Sequence, residues 1–217
     1  MKAVILLSGG IDSTTCLAIA LKKGFECYAI SFSYGQKHSV ELQKARRIAK
    51  HFHVKKHIIV RFNMRKWGGS ALTSNSIQVP PAKANVGIPV TYVPARNTIF
   101  LSFAVSFAET IRAKDIFIGV NSMDYSGYPD CRPKFIKAFE KTANLGTKAI
   151  DENWKFKIHA PLQKMTKSEI IRLGNSLGID YSMTISCYNP DKNGKSCGKC
   201  DSCVIRAKGF EEANTSA

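Results

Sequence analysis

The chain has 217 residues, 44% of them hydrophobic and 22% charged. That balance suits one large globular domain, or one domain with an appendage, and excludes an intrinsically disordered or collagen-like polymer. Lys and Arg number 32 against 16 Asp and Glu, for a formal charge of +16, and such a field draws in anions (ATP, a carboxylate or RNA) without choosing among them. No apolar run approaches the roughly 18 residues of a membrane helix, and Met1-Lys2 leads directly into an apolar stretch without a signal-peptide layout. A cytoplasmic protein with no membrane partner is expected.

The first element is the most informative. Val4-Ile5-Leu6-Leu7 reads as a strand, Ser8-Gly9-Gly10-Ile11-Asp12-Ser13-Thr14 as a tight turn, and Leu17 to Leu21 as a helix. Such a turn aims backbone N–H groups and the positive end of a helix dipole at one point, with the hydroxyls of Ser8, Ser13 and Thr14 as further donors. Phosphate is the expected occupant. A merely capped helix start is the plainer alternative, but a cap needs neither two glycines nor so many clustered donors. The loop has no lysine and is neither the lysine-bearing phosphate loop nor the dinucleotide fingerprint. Ser-Gly-Gly-x-Asp-Ser instead resembles the pyrophosphate loop of the N-type ATP pyrophosphatases, which cut ATP between its α and β phosphates and adenylylate a substrate.

Glu26 to Ser33 reads as a second strand, ending at Tyr34-Gly35-Gln36-Lys37-His38. From Lys37 to Lys56 seven Lys and Arg residues face one acid, Glu41, while Leu42, Ala45, Ile48, Ala49 and Phe52 make an apolar stripe at helical spacing. A solvated helix face is preferred there over an RNA-binding patch. Val54 to Val60 is a third strand; the histidines along this stretch show no convincing metal spacing. Strands alternating with helices predict an α/β fold with a doubly wound parallel sheet.

Between Arg61 and Pro89 periodicity fades, as in a substrate loop, a lid or a disordered insert. An extended strand is expected over Val90 to Val93, running into Pro94, with Arg96 and Asn97 preceding a helix from Ile99 to Ile111 that is apolar on nearly all sides and should be buried. Arg96 then stands near the strand ends, able to reach a phosphate or carboxylate or simply to decorate the surface. Asp115 to Val120 is the next strand. It feeds a loop of acids, tyrosines and an arginine, Asp124-Tyr125-Ser126-Gly127-Tyr128-Pro129-Asp130-Cys131-Arg132. Its tyrosines can stack on a planar base, its carboxylates can accept ring N–H groups, and Arg132 can pair with a substrate carboxylate. A helix over Phe135 to Leu145 and a strand over Trp154 to His159 follow. Thr166 and Glu169 then form a capping box, with Lys167 poorly placed for the dipole unless an anion lies nearby.

Cys187, Cys197, Cys200 and Cys203 supply four thiolates from one short segment, with Gly194 and Gly198 permitting tight turns. Four sulfur ligands close a tetrahedral shell, so structural zinc is expected, with an iron–sulfur cluster as the alternative. Of the other cysteines, Cys16 and Cys27 read as small core residues, while Cys131 sits in the pocket loop, where a nucleophilic role is conceivable. The expected division is an ATP pyrophosphatase-type domain over 1–180 and a four-cysteine segment over 181–217 packed on it.

Together, the loop, the Asp124 to Arg132 motif and the four-cysteine tail resemble the 7-cyano-7-deazaguanine synthase family of queuosine and archaeosine precursor biosynthesis. Tyr34 to His38, Arg96-Asn97 and Pro161-Leu162 also match, so the resemblance spans nearly the whole chain. It implies an adenine nucleotide alpha hydrolase-like, Rossmann-like fold and a homodimeric ligase. It further implies ATP with Mg²⁺, 7-carboxy-7-deazaguanine and ammonia as reactants, one structural Zn²⁺ per chain, and no stable nucleic-acid partner. The catalytic residues implied are Asp12, Ser13, Arg96 and Lys167. ATP falls to Ser8, Gly9, Gly10, Asp12, Ser13, Thr14 and Arg96, and the base to Gln36, Asn97, Asp124, Tyr125, Tyr128, Asp130 and Arg132. Two alternatives remain: an adenylylating enzyme of the same superfamily acting on tRNA, and a zinc-knuckle regulator that binds nucleic acid.

Overall fold

Short apolar runs become strands and the amphipathic segments between them become crossover helices. The computed structural model describes residues 1–82, 87–121 and 128–216. In chain order these are β1 (Lys2–Leu6), α1 (Ile11–Lys22), β2 (Glu26–Ser33), α2 (Val40–His51), β3 (Lys56–Arg61), α3 (Arg96–Thr110), β4 (Asp115–Phe117), α4 (Pro133–Leu145), β5 (Lys157–His159), α5 (Lys167–Ser176) and α6 (Asp201–Glu212). The strands form a five-stranded sheet in the order β3-β2-β1-β4-β5. Every pairing is parallel, with Val4 of β1 opposite Tyr28 on one side and Ile116 on the other. The chain winds outward from β1 through β2 and β3, then returns to build β4 and β5. The reversal leaves a crevice beyond the carboxyl ends of β1 and β4, where folds of this type bind ligands.

Both sheet faces are covered, which is why β1 reads as a continuous apolar run. Val4 and Leu6 pack with Leu101, Ala104 and Ala108 of α3 and Ile136 of α4. Ala3, Ile5 and Leu7 pack on the opposite face with Leu17 of α1, Ile48 of α2, Ile170 and Ile171 of α5 and Phe210 of α6. No described helix is long and apolar enough to cross a membrane.

Two expectations need correction, and one left open is narrowed. α3 starts at Arg96 and is buried on one side only: Ser102 and Ser106 face solvent and Phe103 is 39% exposed. One sheet face cannot cover a whole helix, so the outer aromatics cover one another instead. Phe100 stacks on Phe32 at 4.0 Å, and Phe103 lies 5.4 Å from Phe62. No strand forms over Val90 to Val93. Pro89 and Pro94 flank the segment and supply no donors; Val90 accepts one bond from the Ala71 amide at 2.7 Å, and Val93 turns into the core. The described part of the excursion after Arg61 is anchored rather than disordered, with a 3₁₀ turn at Met64–Lys66 and with Met64, Ser70, Ala71 and Thr73 fully buried.

Candidate active site

The turn after β1 sits at the crevice, and its shape is fixed from all sides. Gly9 has φ +89°, and a Cβ there would lie 2.5 Å from the Glu41 carbonyl and 2.9 Å from the Ala45 nitrogen, so glycine alone fits. Gly119, just past β4, plays the reciprocal part: a Cβ would lie 2.8 Å from the Asp12 carbonyl carbon and from the Ser13 nitrogen. Its absence lets α1 begin against the sheet. Ser13 Oγ donates to the Gly10 carbonyl at 3.1 Å and accepts from the Ser8 amide at 3.1 Å; Ser8 Oγ lies 3.0 Å from it. Thr14 Oγ1 donates to the same carbonyl at 2.8 Å. From outside the loop, Ser31 Oγ donates to the Leu7 carbonyl, and the Ile185 amide donates to the Gly9 carbonyl at 3.0 Å.

The charged groups follow from helix starts. Thr166 and Glu169 make the expected capping box, which places Lys167 in the first turn of α5. Its ammonium donates to Asp12 Oδ1 at 2.6 Å, so Asp12 is the anion that its awkward helix position required. Arg96 opens α3 after Ala95, a residue with φ +53°. Burial works against its charge, but Tyr34, Tyr128, Cys131 and Asp130 favour it and hold its pKa above the usual arginine value. The guanidinium lies 6.0 Å from the Tyr128 ring.

These groups border one cavity of about 300 Å³. Of the residues singled out from sequence, Ser8, Gly10, Asp12, Ser13, Gln36, Arg96, Asn97, Tyr128 and Lys167 line it. Asp124 and Tyr125 lie outside the described residues, and Gly9 and Thr14 support the loop from behind. Two further residues expected at the base lie outside the described lining. Asp130 is buried and its Oδ2 accepts the Asn97 amide at 2.9 Å, so the carboxylate terminates an amide of α3 instead of facing the cavity. Arg132 is exposed at the cap of α4, away from the lining. Gln36 and Asn97 line the space, yet their amides are committed to protein. Gln36 bridges the Tyr34 amide and the Phe32 carbonyl, and Asn97 Nδ2 reaches the Asp130 carbonyl at 3.1 Å. Cys131 also lines the cavity, with burial pushing its thiol up to about 11, which favours the neutral thiol over the nucleophilic thiolate at pH 7.

Sequence reasoning missed Glu41 and one whole wall. Glu41 was legible as the lone acid of a basic stretch, but an acid in the first turn of a helix is commonplace. The missed wall comes from the cysteine segment: Ile185 to Tyr188, and Ser202, Ile205 and Arg206 of α6. Arg206 ties that wall together, donating to Thr184 Oγ1 at 2.8 Å and to the Tyr181 carbonyl at 2.9 Å. Behind it, the sulfurs of Cys187, Cys197, Cys200 and Cys203 lie within 4.8 Å of one another. Metal–sulfur bonds of ~2.3 Å in a tetrahedron put sulfurs roughly 3.8 Å apart, so the cluster fits a single ion. The amides of Cys197 and Asn189 point at Cys187 Sγ at 3.2 and 3.3 Å, donors suited to a thiolate.

A family model described as queuosine biosynthesis protein QueC matches residues 2–214. A relative from Geotalea daltonii, named 7-cyano-7-deazaguanine synthase, is 62% identical over 213 residues, covering 98% of this chain and 93% of its own. One of the same name from Stutzerimonas stutzeri is 58% identical over 212 residues, covering 98% and 94%. Among solved structures, NMN synthetase from Francisella tularensis superposes with a TM-score of 0.56 at 17% identity, covering 99% of this chain and 78% of that one. A 4-thiouridine synthetase in complex with RNA and ATP gives 0.51 at 21% identity, covering 98% and 50%. The distant structures share the fold; the near relatives and the family model share the sequence from end to end. On that footing the chain belongs to the QueC family of queuosine biosynthesis proteins.

Proposed function

We propose that the protein converts 7-carboxy-7-deazaguanine and ammonia into 7-cyano-7-deazaguanine at the expense of ATP. One observation carries the reading: a single cavity joins the lysine-free Ser8 to Ser13 turn to an aromatic chamber holding a permanent cation, Arg96. The turn receives the β and γ phosphates on main-chain amides. The substrate carboxylate attacks the α phosphorus, pyrophosphate leaves, and the acyl adenylate forms. Ammonia attacks the acyl carbon and AMP departs, giving the amide. A second adenylylation, on the amide oxygen, allows loss of AMP and two protons to leave the nitrile. Lys167 and Arg96 offset charge that grows on the phosphates, a preorganised electrostatic role. Asp12 orients Lys167 and is the carboxylate that would help to hold Mg²⁺, an ion that would supply further charge neutralisation. Tyr128, with Asp124 and Tyr125, is assigned to the base.

We assign Zn²⁺ to the four thiolates as a structural ion and read 181–217 as a segment docked on an ATP-handling domain of residues 1–180. Its closed sulfur shell leaves no open coordination position. Seven free cysteines suit a reducing cytoplasm. A homodimer is supported by Trp67, Ile88 and Val90, which are 60%, 58% and 53% exposed on two segments joined at Ala71 and Val90. Phosphorus NMR of ATP with the carboxylated deazaguanine and ammonium tests the reaction. AMP and pyrophosphate, forming only when both are present, are expected; ADP and phosphate would remove attack at the α phosphorus.

A further inference from the structure

Among the described residues, Asp12, Glu41 and Asp201 are the acids that border the cavity. Asp12 is engaged by Lys167, and Asp201 opens α6 beside Cys200. Glu41 differs. It stands in the first turn of α2, its carbonyl pressed against Gly9 of the phosphate-binding turn, and among the described residues its carboxylate has neither a hydrogen bond nor an ion pair. Ser8 and Ser13, the hydroxyls on the same side, are committed to each other and to Gly10.

The reaction proposed above needs an acceptor for a proton of the attacking nitrogen. Once the nitrogen lone pair of ammonia has formed its bond to the acyl carbon, the nitrogen is cationic and must lose one of its three protons to become the amide. Resting on that reading, we propose that Glu41 receives the ammonia and takes up the proton its nitrogen releases. The carbon–nitrogen bond forms, one N–H proton passes to a Glu41 carboxylate oxygen, and the carbon–oxygen bond to AMP breaks with its electron pair on the phosphate. The apolar wall of Leu42, Leu72 and Phe100 lowers the competing access of water to the acyl adenylate. Burial pushes the Glu41 carboxyl up to about 7, against the pull of Arg96, which makes it a better base than an exposed glutamate.

The test uses the metal-loaded, full-length protein and two readouts. Exchange of labelled pyrophosphate into ATP, with the carboxylated deazaguanine and no ammonium, reports the first half-reaction; amide formation against ammonium concentration reports the second. Glu41→Gln should keep exchange within about threefold and lower amide formation at limiting ammonium by about 100-fold, the scale of a lost general base. Glu41→Asp should restore part of it and serves as a folded control. Exchange lost in parallel in both variants would overturn the proposal in favour of a role at ATP or in the turn. An unchanged ammonium dependence would overturn it outright. Absence of exchange in the unaltered protein would instead remove the reaction itself, and this inference with it.

Discussion

The two walls of the cavity are built on different principles. The wall from the first turn is closed by hydrogen bonds within seven residues, Ser8 to Thr14, seated on the end of β1 and locked by Gly9 and Gly119. The wall from the cysteine segment has little regular structure before α6 and is organised around four sulfurs. Between the two, the bond from the Ile185 amide to the Gly9 carbonyl is a direct tie. Rigidity in the first wall comes from backbone geometry, whereas the second rests on the Arg206 hydrogen bonds and on four sulfurs placed to hold an ion. Chemistry that needs a fixed phosphate can rely on the former, and the latter shapes the space in front of it.

The largest expected effect tests the first wall. Lys167→Met removes a cation and leaves Asp12 without its ammonium, so exchange of pyrophosphate into ATP should fall by ~10²–10³, the range for losing one preorganised charge-stabilising donor. A loss under tenfold would mean that backbone amides alone hold the leaving group. Next comes the second wall. Removing the ion with a chelator should lower overall activity by about 10-fold or more and expose the Ile185 and Cys197 amides to hydrogen exchange, while Leu7 and Thr14 keep their protection. Equal loosening of both walls would erase the distinction.

A smaller effect concerns Glu41, which touches the first wall from α2. Its folded-state pKa, about 7, lies above the ordinary 4.5. The native state therefore holds more protons than the unfolded chain between those values, and stability drops as pH rises through that window. Glu41→Gln lacks this slope. Without ligands it should melt like the unaltered protein near pH 4.5 and about 2–4 °C higher at pH 8, for a contribution of ~1 kcal/mol after allowing for solvent screening. Parallel melting curves across that range would show that the carboxylate is ordinary.

Much of the fold was legible because it is local. β2 runs over Glu26–Ser33 as its β-forming residues predict, the Thr166 and Glu169 box caps α5, and the misplaced charge of Lys167 pointed to an anion that proves to be Asp12. The site was legible where backbone chemistry defines it, in the glycines and hydroxyls of the first turn. It was not legible where a polar group serves the chain itself. Asp130 and Asn97 have the composition of ligand-binding residues, yet α3 starts in the interior and its Asn97 amide needs an acceptor, which no pattern along the sequence reveals. The cysteine wall escaped notice for a related reason: spacing announces the metal site and is silent about what stands in front of it.

The contacts that complete the first turn come from the far end of the polypeptide. Asp12 waits for Lys167, 155 positions on; Thr15 Oγ1 meets the Tyr181 hydroxyl across 166 positions; and Gly9 is tied to Ile185. A ribosome therefore finishes most of the protein before these distant contacts on the first turn can form.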